Sequence, residues 1–215
     1  MGDRLVFTIS QFDCTANNNL TPFIFHKVKK CIMSRIVRID SLHFGDRKSC
    51  SANGDGVRVV VWWLGCNLKC KGCHNQEYWD FNNKMFPEFS QEHIDKIFDE
   101  IEKYPEIYSG ISILGGEPFA KQNIDDVIKL CEQFNKKFNY NKKKPKNIWI
   151  WTGYERKWLN EQKGDYGTKI KYLWYLCDYA VVGPYVHERR NISLKFRGSD
   201  NQEIIKIHND SGTGD

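Results

Sequence analysis

The chain has 215 residues with 40% hydrophobic and 27% charged content, the size and balance of one folded domain rather than of a disordered chain. Its mean hydropathy is −0.60, and its most apolar run, Val57 to Cys66, is about half the length that crosses a bilayer, so no membrane partner is expected. Lys and Arg total 32 against 27 Asp and Glu, and a net charge of +5 is too mild an excess to point to nucleic acid.

The first 30 residues lack the continuous apolar core of a secretory signal and carry Asp3, Arg4 and Asp13, so the expected location is the cytoplasm. Residues 1–32 keep neither a strand nor a helix period, and Asn17-Asn18-Asn19 followed by Pro22 reads as loop. They are expected to be an extension ahead of a domain over residues 33–207, with residues 208–215 as a flexible tail; an ordered arm packed on the domain is the alternative.

Within the domain, Ser34–Asp40 alternates as a strand does. Val57–Leu64 is a nearly continuous β-branched and aromatic run, the pattern of a buried parallel strand. Ser90 is placed to cap a helix whose apolar face is Ile94, Ile97, Phe98 and Ile101. Gly110–Leu114 reads as a short strand, and Asn123 as the cap of a helix carrying Ile124, Val127, Ile128, Cys131 and Phe134. Asn147–Trp151 and Asp178–Val182 are two more strands. Repeated strand–helix units predict an α/β domain with a mostly parallel, curved sheet, in the form of a partial (βα) barrel. The lysine-rich link over 136–146 reads as a solvated loop. The aromatic cluster from Trp149 to Tyr175 reads mainly as core, with a docking surface as the alternative.

Eight cysteines in such a chain call for a use other than disulfides. Three of them, Cys66, Cys70 and Cys73, fall within eight residues directly after the Val57–Leu64 strand, in the spacing C-x3-C-x2-C. Three accounts fit. An iron–sulfur cluster takes thiolates and, held by three, keeps one iron free for a ligand. A structural zinc site needs a fourth ligand, and His74, next to Cys73, is poorly placed to supply it. Unrelated structural cysteines are the third account. Downstream, Gly115-Gly116-Glu117-Pro118 follows a strand; two glycines let backbone approach a ligand, and Glu117 can accept from an ammonium, although such a pair is also an ordinary turn. Glu88, His93 and His187 read as scattered surface residues, Cys131 and Cys177 as small buried apolar side chains, and Cys14, Cys31 and Cys50 carry no assignable role.

The cysteine spacing together with Gly115-Gly116-Glu117-Pro118 resembles the radical S-adenosylmethionine superfamily. Asn53-Gly54-Asp55-Gly56, Cys73-His74-Asn75, Trp151-Thr152-Gly153-Tyr154 and Arg197-Gly198-Ser199-Asp200-Asn201-Gln202 narrow the resemblance to its glycyl-radical activases. Val182 and Glu203 depart from that pattern. The resemblance implies a 4Fe-4S cluster on Cys66, Cys70 and Cys73, and S-adenosylmethionine held at its methionyl end by Gly115, Gly116 and Glu117. Gly72, His74, Thr152 and Gly153 are the implied adenosyl contacts. The implied activity is reductive cleavage of S-adenosylmethionine and removal of a glycine Cα hydrogen from an anaerobic ribonucleoside-triphosphate reductase. Its large subunit and an electron donor such as flavodoxin or ferredoxin are the implied partners, and no catalytic side chain is expected beyond the cluster and its cofactor. A related enzyme acting on a metabolite, of the carboxy-deazaguanine synthase type, and a zinc-bound interaction module stand as alternatives.

Overall fold

The computed structural model describes residues 34–140 and 145–209; the expected extension over residues 1–32, and residues 210–215 of the expected tail, lie outside them. Six strands form one sheet in sequential order: β1 (Ile36–Asp40), β2 (Val57–Trp63), β3 (Tyr108–Gly115), β4 (Asn147–Thr152), β5 (Tyr179–Val182) and β6 (Glu203–Lys206). Helices α1 (Ser49–Ala52), α2 (Gln91–Lys103), α3 (Ile124–Phe138), α4 (Arg156–Glu161) and α5 (Gly164–Leu176) lie in the connections.

The inner pairings β2/β3, β3/β4 and β4/β5 are parallel, as the strand–helix repeats predict. The outer pairings, β1/β2 and β5/β6, are antiparallel. The sheet is therefore mixed, which corrects the expectation of a mostly parallel one. It is also not closed into a barrel, since β1 and β6 are its two edges. Helix length supplies the physical reason. Parallel neighbours need a crossover, usually through a helix, and α2, α3 and the α4–α5 pair provide three of them. The four-residue α1 and the turn His187–Arg189 are too short to carry the chain back across the sheet.

Strand alternation then separates two faces. Val59, Val61, Trp63, Ile111, Ile113, Ile148, Ile150, Ala180 and Val182 pack with the apolar stripes of α2, α3 and α5 into one core. Ile94, Ile97, Phe98 and Ile101 of α2 are buried there, as their helical spacing predicts. Burial of such a stripe contributes about 1.5–3 kcal/mol per large apolar side chain, an upper estimate because denatured chains are already partly compact. Ser90 is the N-cap residue of α2, with its backbone N–H donating to His93 Nδ1 at 3.1 Å.

The opposite face is built differently. Trp149 stacks on Trp151 and on Tyr179, with centroids 5.7 and 4.6 Å apart. Arg58, fully buried, donates from Nε to Ser112 Oγ at 2.7 Å and from its terminal nitrogens to the carbonyls of Asp55, Ile111 and Asn147. These contacts fill the end of the sheet where the parallel strands begin. The other end of this face, towards Trp62, Leu114 and Trp151, borders a cavity. Tyr175, by contrast, is exposed.

Candidate metal centre

The cavity measures about 460 Å3 and opens where β2, β3 and β4 end. Cys66, Cys70 and Cys73 line it together, and so do His74, Gly115, Gly116, Glu117, Thr152 and Gly153. Ten residues were singled out in the sequence for this site, and Gly72 alone is not among the lining. It lies on the far side of the cysteine loop, where a Cβ at its position would stand 2.6 Å from His187 Nδ1. At φ +72°, in the left-handed region, glycine is the residue that fits.

Backbone bonds join the first two loops. Gly116 N–H donates to Trp63 O and Glu117 N–H to Gly65 O, both at 2.8 Å. Asn123 reinforces the join, its Nδ2 donating to Leu64 O at 2.9 Å and to Glu117 O at 3.0 Å. Asn123 does occupy the N-cap position of α3, but its side chain makes no cap bond and serves the two loops instead. A Cβ on Gly116 would stand 2.2 Å from Gly65 O, so the approach requires glycine. Gly116→Ala is expected to destabilise the chain by about 1–3 kcal/mol and to lower iron uptake, because the cysteine loop must move to admit the methyl group. Denaturant unfolding and iron assay after anaerobic reconstitution test this, and unchanged values would show that the loops do not meet so closely.

Tyr154 ties the cysteine loop to the end of β4. Its hydroxyl and the Asn67 amide exchange two hydrogen bonds, of 2.8 and 2.9 Å. Glu117 is a second tie. Its carboxyl is fully buried; Oε1 accepts from Phe119 N–H at 3.0 Å and Thr152 Oγ1–H at 2.8 Å, and Oε2 accepts from Gly153 N–H at 2.9 Å. Burial pushes its pKa up to about 7 in spite of these donors. The side chain thus clamps the loop after β3 to the end of β4.

The donor set fits an iron–sulfur cluster. The Cys66 thiol is pushed up to about 11 by burial, opposed by nearby backbone N–H groups of Leu68 and Lys69. Burial also raises Cys70, opposed by the backbone N–H of Tyr185, and Asn75 N–H donates to Cys73 Sγ at 3.4 Å. Amide donors aimed at sulfur stabilise thiolates once a metal displaces their protons. Among the described residues no three His, Cys, Asp or Glu side chains are grouped closely enough to enclose one metal ion. Thiolates on a single zinc stand about 3.8 Å apart, the edge of a tetrahedron with bonds of about 2.3 Å, whereas a multi-iron cluster spreads its ligands wider. Cys50, Cys131 and Cys177 are fully buried elsewhere, Cys131 and Cys177 in the core between sheet and helices.

Several lining residues were not singled out as site residues in the sequence. Asn53, Trp151 and Arg197 stood in motifs, but nothing in their spacing showed that they face the cysteines; Tyr185, Phe196 and Trp62 carried no local signal at all. His93 and Glu88 have structural partners, the Ser90 backbone and Arg35 respectively.

A family profile described as a 4Fe-4S single cluster domain matches residues 52–205. The anaerobic ribonucleoside-triphosphate reductase-activating protein of Escherichia coli K12 is 31% identical over 152 residues, covering 71% of this chain and 90% of that protein. The protein of the same name from Vibrio cholerae is 30% identical over 155 residues, with 72% and 91% covered. That of Enterobacteria phage T4 is 29% identical over 154 residues, with 71% and 85% covered. The cysteine loop, the Gly115-Gly116-Glu117 turn and the Arg197–Gln202 segment all fall within the profile, and the chain belongs to the 4Fe-4S single cluster domain family, among the anaerobic ribonucleoside-triphosphate reductase-activating proteins.

Proposed function

We propose that this chain is a glycyl-radical activase of the radical S-adenosylmethionine type, acting on an anaerobic ribonucleoside-triphosphate reductase. The observation that carries the reading is the shared cavity, in which three cysteines of one loop face the Gly115–Glu117 turn and the end of β4. Ligands of βα folds ordinarily sit at the carboxyl ends of parallel strands. The open sheet is read as a partial (βα) barrel within a domain over residues 33–207, working in the cytoplasm.

A 4Fe-4S cluster bound here would supply the one-electron reduction that breaks a carbon–sulfur bond of S-adenosylmethionine, the chemistry needed to remove a hydrogen atom from a glycine Cα. Cys66, Cys70 and Cys73 hold the cluster. Gly115 and Gly116 offer backbone groups to the methionyl amine and carboxylate, while Glu117 holds that turn in register with β4. His74, Thr152 and Gly153 border the space for the adenosyl group, and Trp62, Leu114 and Trp151 provide apolar walls that limit water. Gly72, behind the loop, shapes the turn between Cys70 and Cys73. Reductase large subunit and a flavodoxin- or ferredoxin-type electron donor are the partners.

The test is anaerobic incubation of the iron-loaded protein with reductant, S-adenosylmethionine and a cognate anaerobic reductase. Expected results are about four irons per chain, formation of 5′-deoxyadenosine and a glycyl-radical signal in electron paramagnetic resonance on the reductase. Nucleoside without a radical on the reductase would move the substrate to a metabolite; one zinc per chain in place of iron would end the reading.

A further inference from the structure

Arg197, Gly198 and Gln202 line the cavity, while Ser199, Asp200, Asn201 and Gln202 bond the turn beside it. Gln202 Oε1 accepts from the backbone N–H groups of Gly198 at 2.8 Å and Ser199 at 3.2 Å, while its Nε2 donates to Gly183 O at 3.0 Å. Asn201 Nδ2 donates to Pro184 O at 2.8 Å. Ser199, fully buried, accepts from Val186 N–H at 3.2 Å through Oγ. Arg189 pairs with Asp200, and Asp200 N–H returns a bond to Arg189 O at 3.0 Å. Side chains of one six-residue segment thus bond the backbone at Gly183, Pro184 and Val186, and its own backbone bonds Arg189 O.

That turn in turn rests on the cysteine loop. His187 packs over Gly72, and the rings of Tyr185 and His74 lie 6.1 Å apart. Glu188 pairs with Lys71 at 2.8 Å, an exposed contact worth little by itself. The Tyr185 backbone N–H also opposes the burial that raises the Cys70 thiol. Contacts with residues 71, 72 and 74 thus come from residues 188, 187 and 185, a spread that no one pair explains.

We propose that Arg197–Gln202 is a strap that holds the 183–189 turn against the cysteine loop, which makes Gln202, Asn201 and Ser199 positioning residues for the Cys70 corner of the metal centre. The inference rests on the reading of Cys66, Cys70 and Cys73 as cluster ligands. Amide donors to cluster sulfurs, such as Asn75 N–H on Cys73 Sγ at 3.4 Å, favour the more negative, reduced state, so a strap that steadies this loop also acts on reduction potential.

Gln202→Ala and Asn201→Ala each remove a tie to the turn without touching the cysteines. In the cluster-free full chain, amide hydrogen exchange at Tyr185 and at Cys73, whose N–H bonds Cys70 O at 3.1 Å, is expected to quicken about tenfold together. After iron loading, both variants are expected to show a lower midpoint potential than the parent. Lys169→Ala, which breaks a surface contact with Asp125, should change neither quantity. Faster exchange at Tyr185 with Cys73 unaffected would overturn the strap, as would an even rise across all strands or an unchanged potential. Failure of the parent to take up iron would sink the proposed function, while the exchange measurements, made without metal, would still decide whether the strap exists.

Discussion

Replacing any one of Cys66, Cys70 or Cys73 by alanine is expected to reduce iron after reconstitution to a small fraction of the parent's and to abolish cleavage of S-adenosylmethionine. A cluster on two thiolates has two irons without a protein ligand, and the vacancy needed for the cofactor is no longer a defined one. The fold is expected to survive, because all three thiols are partly exposed on a loop and none belongs to the core between sheet and helices. Cys131 and Cys177 provide the opposite case. Both are fully buried, and burial raises the Cys177 thiol well above its ordinary range. Alanine at either should cost about 1–2 kcal/mol through the cavity it leaves, with iron content unaffected. Iron and sulfide assays, nucleoside product analysis and thermal unfolding on the five variants separate the two groups. Full iron in a Cys66, Cys70 or Cys73 variant would remove the basis of the assignment.

Glu117→Ala should have the largest effect on stability of any single change at the site. Its loss orphans the buried Phe119 N–H and Thr152 hydroxyl and the partly buried Gly153 N–H. At about 1–3 kcal/mol for each unsatisfied buried group, the loss amounts to several kcal/mol, and the ends of β3 and β4 come apart. Glu117→Gln keeps the shape but sets an amide NH2 against the Gly153 N–H, so it also weakens the clamp. The second variant exposes a pH dependence. Burial raises the carboxyl from its ordinary 4.5 to about 7. Between those values the folded chain holds a proton that the unfolded chain has released, so stability falls as pH rises through that window and levels off above it. Urea unfolding of the cluster-free protein from pH 5 to pH 8 should show this fall in the parent and a shallower one in Glu117→Gln. An equal slope in both would mean that another group carries it.

The main elements were readable from local pattern. The β-branched run of β2, the helical stripes of α2 and α3 and the short strands β3, β4 and β5 each appear within a residue or two of where their sequences place them. β6 was not readable, since Glu203–Lys206 is short and mostly exposed, with no alternation strong enough to mark a strand. α5 was missed because its apolar residues do not form one clean stripe; Tyr172, Trp174 and Tyr175 crowd around it. Asn123 shows how a correct position can conceal a different duty. Asparagine ahead of an apolar helix is the usual sign of a cap, yet the deciding partners, Leu64 O and Glu117 O, come from two other loops.

Sequence alone established that three thiols lie close together after a buried strand and that a glycine pair follows the next one, because spacing within a loop and alternation within a strand are local properties. Folding decided which of those features share a cavity, turned both sheet edges antiparallel, and gave Glu117 protein donors around its carboxylate. It also seated residues 183–189 between the strap and the cysteine loop. Such outcomes depend on partners dozens of residues away, whose approach is set by the packing of helices on the sheet and leaves no period or motif in the chain.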